Sequence, residues 1–338
     1  MSIREAIEKL VNRISLSEAE TVDVMNQIMT GETSPLQVAA FLTALRMKGE
    51  NVEEITGAAR VMREKAHRVN VGQKTVLDTC GTGGDQKGTF NISTTTAFVL
   101  AGAGVNVAKH GNRSVSSQSG SADVLGALGV KVDAPKERVE QCIANIGIGF
   151  LFAPLLHEAM KYAVQPRRDI GIRTIFNLLG PLTNPAMATH QLIGIYSGEM
   201  VGMIAQVLRN LGSSRAMVVH GLEGLDEISL CGPTKVAELR NGEVKEYTIE
   251  PEQFSFERCR LEELHGGNPQ ESAVIVRAIL DGKKGPPRDV VLLNSGAALY
   301  VSGSAETIAS GIKVAADSID SGKARRKLAQ LVELSNAS

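Results

Sequence analysis

The run Cys80-Gly81-Thr82-Gly83-Gly84-Asp85 constrains this chain more than any other segment. It follows the short apolar stretch Thr75-Val76-Leu77-Asp78 and reads as a buried strand ending in a turn whose backbone must approach something closely. Glycine permits positive φ and leaves no Cβ in the way. Successive bare N–H groups in such a turn form a cradle for an anion, most often phosphate. A few residues on, Asn91, Ser93, Thr94 and Thr95 precede the apolar run Ala97-Phe98-Val99-Leu100-Ala101. A helix therefore starts beside the turn, with its amides and positive dipole end available to the same anion. The run is not a Walker A loop, because no Gly-Lys-Ser/Thr follows at the required spacing, and it lacks the third glycine of a dinucleotide fingerprint. By itself it also fits a tight strand-to-helix turn with no ligand.

A chain of 338 residues exceeds one typical core, so two domains are expected. The formal net charge of −1 gives no global field favouring nucleic acid or an anionic membrane. Cys80, Cys142, Cys231 and Cys259 are far apart in sequence and form no paired ligand spacing, as expected of incidental thiols in a reducing compartment. The start, Met1-Ser2-Ile3-Arg4-Glu5-Ala6, has no long apolar core and no small-residue cleavage site. No stretch is long and apolar enough to cross a bilayer. A cytoplasmic protein that binds neither membrane nor nucleic acid is the expectation.

The first seventy residues read as wholly helical. Ile3, Ala6, Ile7, Leu10, Val11 and Ile14 keep a helical period. Ser17 with Glu20, Ser34 with Gln37, and Asn51 with Glu54 each start a further helix, the last running to about His67. After Val71 the texture changes. Strand candidates at Val76–Thr79, Val105–Ala108, Val130–Val132, Leu192–Ile195 and Met217–His220 alternate with helical stretches at Ala122–Leu128, Lys136–Ile146 and Met200–Leu211. Thr234–Leu239 and Val244–Ile249 around Asn241-Gly242 read as a hairpin, and the last fifty residues return to helices. The expected fold is α/β: a small N-terminal helical domain plus a larger α/β domain with a mostly parallel central sheet covered by helices. Ligands on such sheets bind at the carboxyl ends of the strands, where the glycine turn falls.

Three further clusters carry polar chemistry. Lys109-His110-Gly111-Asn112-Arg113-Ser114 follows the second strand, with Ser116, Ser117, Ser119 and Gly120 close behind. Lys109 and Arg113 suit phosphate or diphosphate, one as a point charge and the other as a fork; a solvated polar loop is the plainer reading. Asp226 and Glu227 follow a later strand. If they lie on a loop they are plausible metal ligands, and Mg²⁺ is the natural metal beside phosphate; an exposed acidic turn is the alternative. Arg167-Arg168-Asp169 offers a surface ion pair, or one guanidinium for a substrate carboxylate. The run Phe176–Pro185, with two prolines and a glycine, fixes a rigid turn. No serine near His110 is marked as an activated nucleophile.

Together these motifs closely resemble the anthranilate phosphoribosyltransferase family. The matching segments, in the family's order, are Gly81–Asp85, Asn91–Thr94, Lys109–Arg113, Ser119–Asp123, Arg167-Arg168 with Asn177–Pro185, and Asp226-Glu227. The resemblance spans essentially the whole chain. It implies transfer of the phosphoribosyl group of 5-phosphoribosyl diphosphate (PRPP) to the amine of anthranilate, Mg²⁺ as cofactor, and a homodimer joined through the helical domain. It also implies that the small domain, residues 1–70, takes in part of the middle of the chain, from about 167 to 190, with 71–338 forming the α/β domain.

Carried over by matching motif, Gly81, Gly84, Asp85, Thr89, Asn91, Ile92, Ser93 and Thr94 surround PRPP. So do Lys109, His110, Gly111, Asn112, Arg113, Ser114, Val115, Ser116, Ser117 and Ser121. Ser93, Asp226 and Glu227 hold Mg²⁺. Gly81, Asn112 and Arg167 contact anthranilate, with Arg167 on its carboxylate, and His110 and His157 line the approach. Gln118 stands where many relatives have lysine, which removes one positive charge near the phosphate loop. No residue is expected to serve as a dedicated general base, because a neutral arylamine attacks with a lone pair that is already free. The resemblance leaves open an association with the glutamine amidotransferase that is fused to this activity in some organisms. Two rival readings are a nucleoside phosphorylase of the same fold and a diverged, non-catalytic relative that binds nucleic acid. The acidic pair and Asn112 weigh against the first, and the charge balance weighs against the second.

Overall fold

Each of the first four helices begins where a side chain satisfies amides that the helix itself leaves open. The computed structural model of the protein describes residues 1–72, 75–114 and 119–337. Helices α1 (Ile3–Val11), α2 (Glu18–Thr30), α3 (Pro35–Lys48) and α4 (Val52–Lys65) all start with a reciprocal capping box, Ser2 with Glu5 included. The boxes at Ser17, Ser34 and Asn51 are those the sequence predicts. Helix α4 ends at Lys65, short of His67, because Ala66 is already extended. Glu54 is fully buried but satisfied: it accepts from the amides of Leu16 and Asn51 and from Lys48 Nζ, each at 2.9 Å.

Beyond the helical domain, strands and helices alternate. They run β1 (Leu77–Gly81), α5 (Ile92–Gly102), β2 (Val107–Gly111), α6 (Ser121–Ala127), α7 (Lys136–Ile146) and β3 (Ile148–Phe152). Next come α8 (Ala153–Leu156), α9 (Lys161–Ile170), α10 (Phe176–Leu182), β4 (His190–Gly194), α11 (Val201–Asn210) and β5 (Arg215–Gly221). The chain closes with β6 (Thr234–Arg240), β7 (Glu243–Ile249), α12 (Pro269–Leu280), α13 (Pro286–Ser302), α14 (Ile308–Asp320) and α15 (Lys323–Asn336). The seven strands form one sheet in the order β3-β2-β1-β4-β5-β6-β7. The first five are parallel, and β6 and β7 add an antiparallel hairpin at one edge. Asn241 and Gly242 both have positive φ there, as a two-residue hairpin turn requires. No helix among the described residues is long and apolar enough to cross a membrane.

Side-chain alternation sorts the strands between two packed faces. Leu77, Leu192, Met217 and Val219 face α5, α12, α13, α14 and α15. Cys80, Ile193, Val218 and Ala237 face α11 and the helical domain, in one apolar cluster that also takes in Ala163 of α9 and Phe176, Leu179 and Leu182 of α10. Helices α9 and α10 thus seat on the helical domain, although they lie far from it in sequence.

Two expectations are corrected. Val130–Val132 is not a strand but a buried turn between α6 and α7. Two buried valines flanking an exposed lysine imitate the period of a strand, but Gly129 takes φ +97° and Pro135 soon opens α7. The edge strand is instead Ile148–Phe152, an apolar run that follows α7 directly. Strand β2 also reaches Gly111, so Lys109 and His110 are strand residues rather than loop residues. Cys231 and Cys259, distant in sequence, stand with Sγ atoms 3.9 Å apart as free thiols.

The order of strands reverses around β1 and β4, which places a crevice at their carboxyl ends. Beneath it lies a buried polar network. Asp78 Oδ1 accepts from the His110 amide (3.1 Å) and Oδ2 accepts from Asn184 Nδ2 (2.7 Å). Asn184 also donates to Ala108 O (2.8 Å), and its Oδ1 accepts from the Ala186 amide (2.8 Å). Burial raises the Asp78 pKa, while nearby Lys109 opposes the rise. We expect Asn184→Ala to destabilise the fold by roughly 2–4 kcal/mol, because it strands a buried carboxyl and two backbone groups. Chemical denaturation at neutral pH measures it; a loss under about 1 kcal/mol would contradict this account.

Candidate active site

Thr82, Gly83 and Gly84 follow β1 and are tied to three different parts of the molecule. The Thr82 amide donates to Gly194 O at the end of β4 (2.9 Å). The Gly83 amide donates to Asp226 Oδ2 (2.8 Å), and Gly84 O accepts from Arg173 Nη2. Gly83 and Gly84 have φ of +65° and +76°, so this path needs residues without a side chain. Gly81 is held to glycine by space instead: a Cβ there would lie 2.5 Å from Asp226 Oδ2. Downstream, Thr89 bridges His265, and the Phe90 amide donates to Leu264 O (2.9 Å). Those contacts fix the entry to α5, where the Ile92 amide donates back to Phe90 O (2.8 Å) and the Ser93 amide turns toward Glu227. The Thr94 side chain is itself buried, so the hydroxyl does not face the crevice as an open donor.

Asp226 and Glu227 lie on the loop between β5 and β6, where both carboxyls come to the same side. Glu227 Oε1 accepts from the Ser93 amide (3.1 Å). Lys109 Nζ donates to Thr79 O (2.6 Å) and Ser93 Oγ (3.3 Å) from its place in β2. Glycine turn, helix start, buried ammonium and acidic pair are therefore one constellation. Desolvation pushes Glu227 up to about 7, against the pull of Lys109. Asp226 is raised well above the usual carboxylate range by desolvation and by repulsion from Asp85 and Glu227. Lys109 is lowered by burial, with Asp78 and Glu227 holding it up. Asp85 Oδ2 is buried without a partner. Three crowded carboxyls with an unsatisfied oxygen are short of positive charge, and an all-oxygen donor set suits Mg²⁺. Among the described residues no three His, Cys, Asp or Glu side chains already form a closed metal cage. Mg²⁺ takes one or two carboxylates and leaves its other positions to water and phosphate.

His110 continues β2 into the crevice wall. Its Nδ1 is 3.1 Å from Gly180 O of α10, and its ring centroid is 5.2 Å from that of His157. Burial lowers the His110 pKa to about 3 and that of His157 to about 4, so both rings are neutral near pH 7. His110 therefore donates from Nδ1, and its buried Nε2 is an acceptor without a partner. Arg113 is not an open fork here: its Nη1 donates to Asp123 Oδ1 (3.1 Å). Asp123 Oδ2 accepts from the amides of Ser114 (2.9 Å) and Gly120 (3.0 Å), closing a loop whose middle residues, Val115, Ser116, Ser117 and Gln118, lie outside the described residues. Asn112 O accepts from Ser121 Oγ (3.3 Å) at the start of α6, and Asn91 Nδ2 donates to Ser119 O (3.4 Å).

Arg167 lies on α9, its guanidinium over the Phe176 ring (5.1 Å to the centroid). It makes no ion pair among the described residues, and burial lowers its pKa. A partly desolvated guanidinium stacked on a ring and lacking a carboxylate is prepared to take one. The sequence reading missed Arg173, Tyr196 and Asp78 as site-shaping residues. Only Asp78 left a trace in the sequence, as a charged residue inside an apolar strand.

The sequence matches two family profiles: "Glycosyl transferase family, helical bundle domain" over residues 4–66 and "Glycosyl transferase family, a/b domain" over residues 73–325. It is 56% identical to the anthranilate phosphoribosyltransferase of Citrifermentans bemidjiense, with 99% of each chain covered. It is 57% identical to that of Pelotomaculum thermopropionicum, covering 98% of this chain and 96% of the other. The crystal structure of the Thermus thermophilus enzyme superposes with a TM-score of 0.93 at 44% identity, covering 98% of this chain and 99% of that one. The Saccharomyces cerevisiae enzyme in complex with PRPP and Mg superposes with a TM-score of 0.90 at 30% identity, covering 98% and 97%.

Two outcomes follow from this geometry. Gly81→Ala should displace the Asp226 carboxylate and weaken Mg²⁺ binding by about tenfold or more, read by calorimetric titration; unchanged affinity would mean the carboxylate has room to move. The histidines give a pH signature. Unfolded imidazoles take up a proton below about 6.5, while the folded ones stay neutral down to about 4 and 3. Their stabilising contribution is thus complete above pH 6.5 and is lost as pH falls through the folded values. His110→Asn keeps a donor for Gly180 O but does not titrate, so its unfolding midpoint should fall less steeply between pH 6.5 and 4 than that of the unaltered protein.

Proposed function

We infer the activity of this chain from one premise: it belongs to the anthranilate phosphoribosyltransferase family and is a pentosyltransferase of tryptophan biosynthesis. The reaction proposed is Mg²⁺-dependent transfer of the phosphoribosyl group of PRPP to the anthranilate amine. It yields N-(5-phosphoribosyl)anthranilate and diphosphate. The observation that carries this reading is the convergence of Gly81–Gly84, Ser93, Lys109 and Glu227 at the switch point of the sheet.

PRPP is placed along the glycine turn, the start of α5 and the end of β2. Gly81, Gly84, Asp85, Thr89 and Asn91–Thr94 are assigned to one wall of its site and Lys109–Ser114 with Ser121 to the other, while the assignment of Val115, Ser116 and Ser117 to PRPP falls outside the described residues. Ser93, Asp226 and Glu227 are assigned to Mg²⁺, which when bound supplies positive charge to the diphosphate. Anthranilate is placed against Gly81, Asn112 and Arg167, its carboxylate on the Arg167 fork.

As the C1–O bond of PRPP breaks, negative charge gathers on the departing diphosphate. The Lys109 ammonium, held beside Ser93 Oγ at the start of α5, stands where that charge can be met. The ribose carbon becomes cation-like, and the arylamine held in line attacks with its free lone pair. The amine proton leaves afterwards. A histidine whose pKa is held near 3 is a poor proton acceptor, which supports a reaction without a dedicated general base. His110 then serves as a neutral wall of the arylamine site, fixed by Gly180 O.

A homodimer joined through the helical domain is also proposed, working in the cytoplasm. Leu36 (83% exposed) and Met47 (71%) of α3 are large apolar residues left open on that domain, which supports an interface there. The dimer predicts about twice the chain mass in light scattering, and a single-chain mass would sink it. Association with a glutamine amidotransferase draws no support from these residues.

Anthranilate fluorescence tests the reaction. It should decay only when protein, PRPP and Mg²⁺ are all present, and EDTA should abolish the decay; an unchanged signal from folded protein would reject the assignment. Asp226→Asn and Arg167→Ala should each lower kcat/KM by about a hundredfold or more, and His110→Asn by about tenfold or less. Comparable losses from all three would indicate that His110 handles a proton.

A further inference from the structure

Arg173 sits between α9 and α10, outside every segment assigned to a substrate. Its Nη2 donates to Gly84 O, and its guanidinium lies over the Tyr196 ring, 4.2 Å from the centroid. A Cβ at Gly84 would stand 3.3 Å from that same Nη2, so the arginine rests directly on the glycine turn. Tyr196 is fixed in its turn: its amide donates to Thr82 Oγ1 (3.2 Å), just beyond Gly194 of β4. Its phenol lies within electrostatic reach of Arg46 and Glu50 at the end of α3. The guanidinium thus joins the segment that carries Arg167, the glycine turn, and the seam with the helical domain.

We propose that Arg173 is a positioning residue that clamps the glycine turn in its anion-receiving shape and couples it to the arylamine-binding segment. The Gly84 carbonyl would otherwise be free to rotate toward the crevice. A carbonyl oxygen pointing there would oppose a diphosphate, whereas an amide welcomes it. Holding the carbonyl on a guanidinium keeps the negative end of that peptide occupied, so that it does not face the anion unpaired. A guanidinium can do this because one of its nitrogens donates while its carbon stays over the ring. Lysine cannot do both. Arg173 touches neither reacting centre, and it is α9–α10, carrying Arg167, that supplies the clamp.

The substrates in this inference rest on the proposed reaction, but the clamp does not, and two readouts separate them. The first is hydrogen exchange of the Thr82–Asp85 amides in the protein without ligands. Arg173→Ala and Arg173→Lys should both speed it, relative to amides of α5. The second is steady-state kinetics: KM for PRPP should rise by about tenfold, with KM for anthranilate changed by less than about threefold. A purely structural arginine would lower the melting temperature and leave both readouts alone, which would overturn the proposal. So would a fall in kcat with both KM values unchanged. If Arg173→Ala does not fold, Arg173→Lys decides by the same two readouts. If the unaltered protein consumes no anthranilate, the proposed reaction fails while the exchange result still judges the clamp.

Discussion

The site depends on how closely one loop lies on the ends of two strands. A Cβ at Gly194 would stand 1.6 Å from Asp226 O, and one at Gly81 would stand 2.5 Å from Asp226 Oδ2. These two glycines pair with each other across β1 and β4, so together they form a flat shelf at the switch point. The acidic loop rests on that shelf. No side chain of any size fits between, so the distance from the carboxylates to the glycine turn is set by backbone packing alone. That close packing keeps Asp226 within reach of the Gly83 amide.

Such closeness has an electrostatic consequence. Asp85, Asp226 and Glu227 repel one another in a partly desolvated crevice, with Lys109 the nearest buried cation. Lys109 is itself balanced from below by Asp78, which Asn184 holds in place. The ammonium therefore stands between two layers of negative charge. A site in this state suits the divalent cation of the proposed reaction, which with Lys109 would make the crevice hospitable to a diphosphate. Two needs of opposite sign, the metal's for carboxylate and the diphosphate's for metal, would be met in sequence by one arrangement.

Much of the fold was legible because its signals are local. Capping boxes at Ser17, Ser34 and Asn51, the Asn241-Gly242 turn, and helix α7 from Lys136 to Ile146 are all decided by neighbours within a few residues. Strand limits were less legible. Lys109 and His110 read as loop because they are polar, and they belong to β2 because Asp78, Thr79 and Ser93 await them across the sheet. Val130–Val132 failed for the converse reason: its alternation is real, but the chain turns at Gly129 and again at Pro135. For the site, residue types in register pointed to the glycine turn and the acidic pair, which the fold brings into contact. Arg173 and Tyr196 could not be found that way, since their roles exist only once α9–α10 folds onto the turn.

The histidine pair shows how one fold separates two chemical tasks within a few ångströms. On the side of Asp226 and Lys109, every group is charged or poised to be, and the work is to receive an anion as it forms. On the side of His110 and His157, burial strips the rings of charge, and the acceptor atoms Nε2 are left without partners. A protonated imidazole there would compete with Arg167 for the arylamine's carboxylate. It would also raise the cost of bringing a cation-like ribose carbon near. Neutral rings avoid both effects while still filling space and shedding water. In the proposed reaction, charge is thus concentrated on the diphosphate side, and the arylamine approaches past neutral rings toward the Arg167 guanidinium over Phe176. That asymmetry favours a neutral amine as the attacking group, and it needs no residue to remove a proton first.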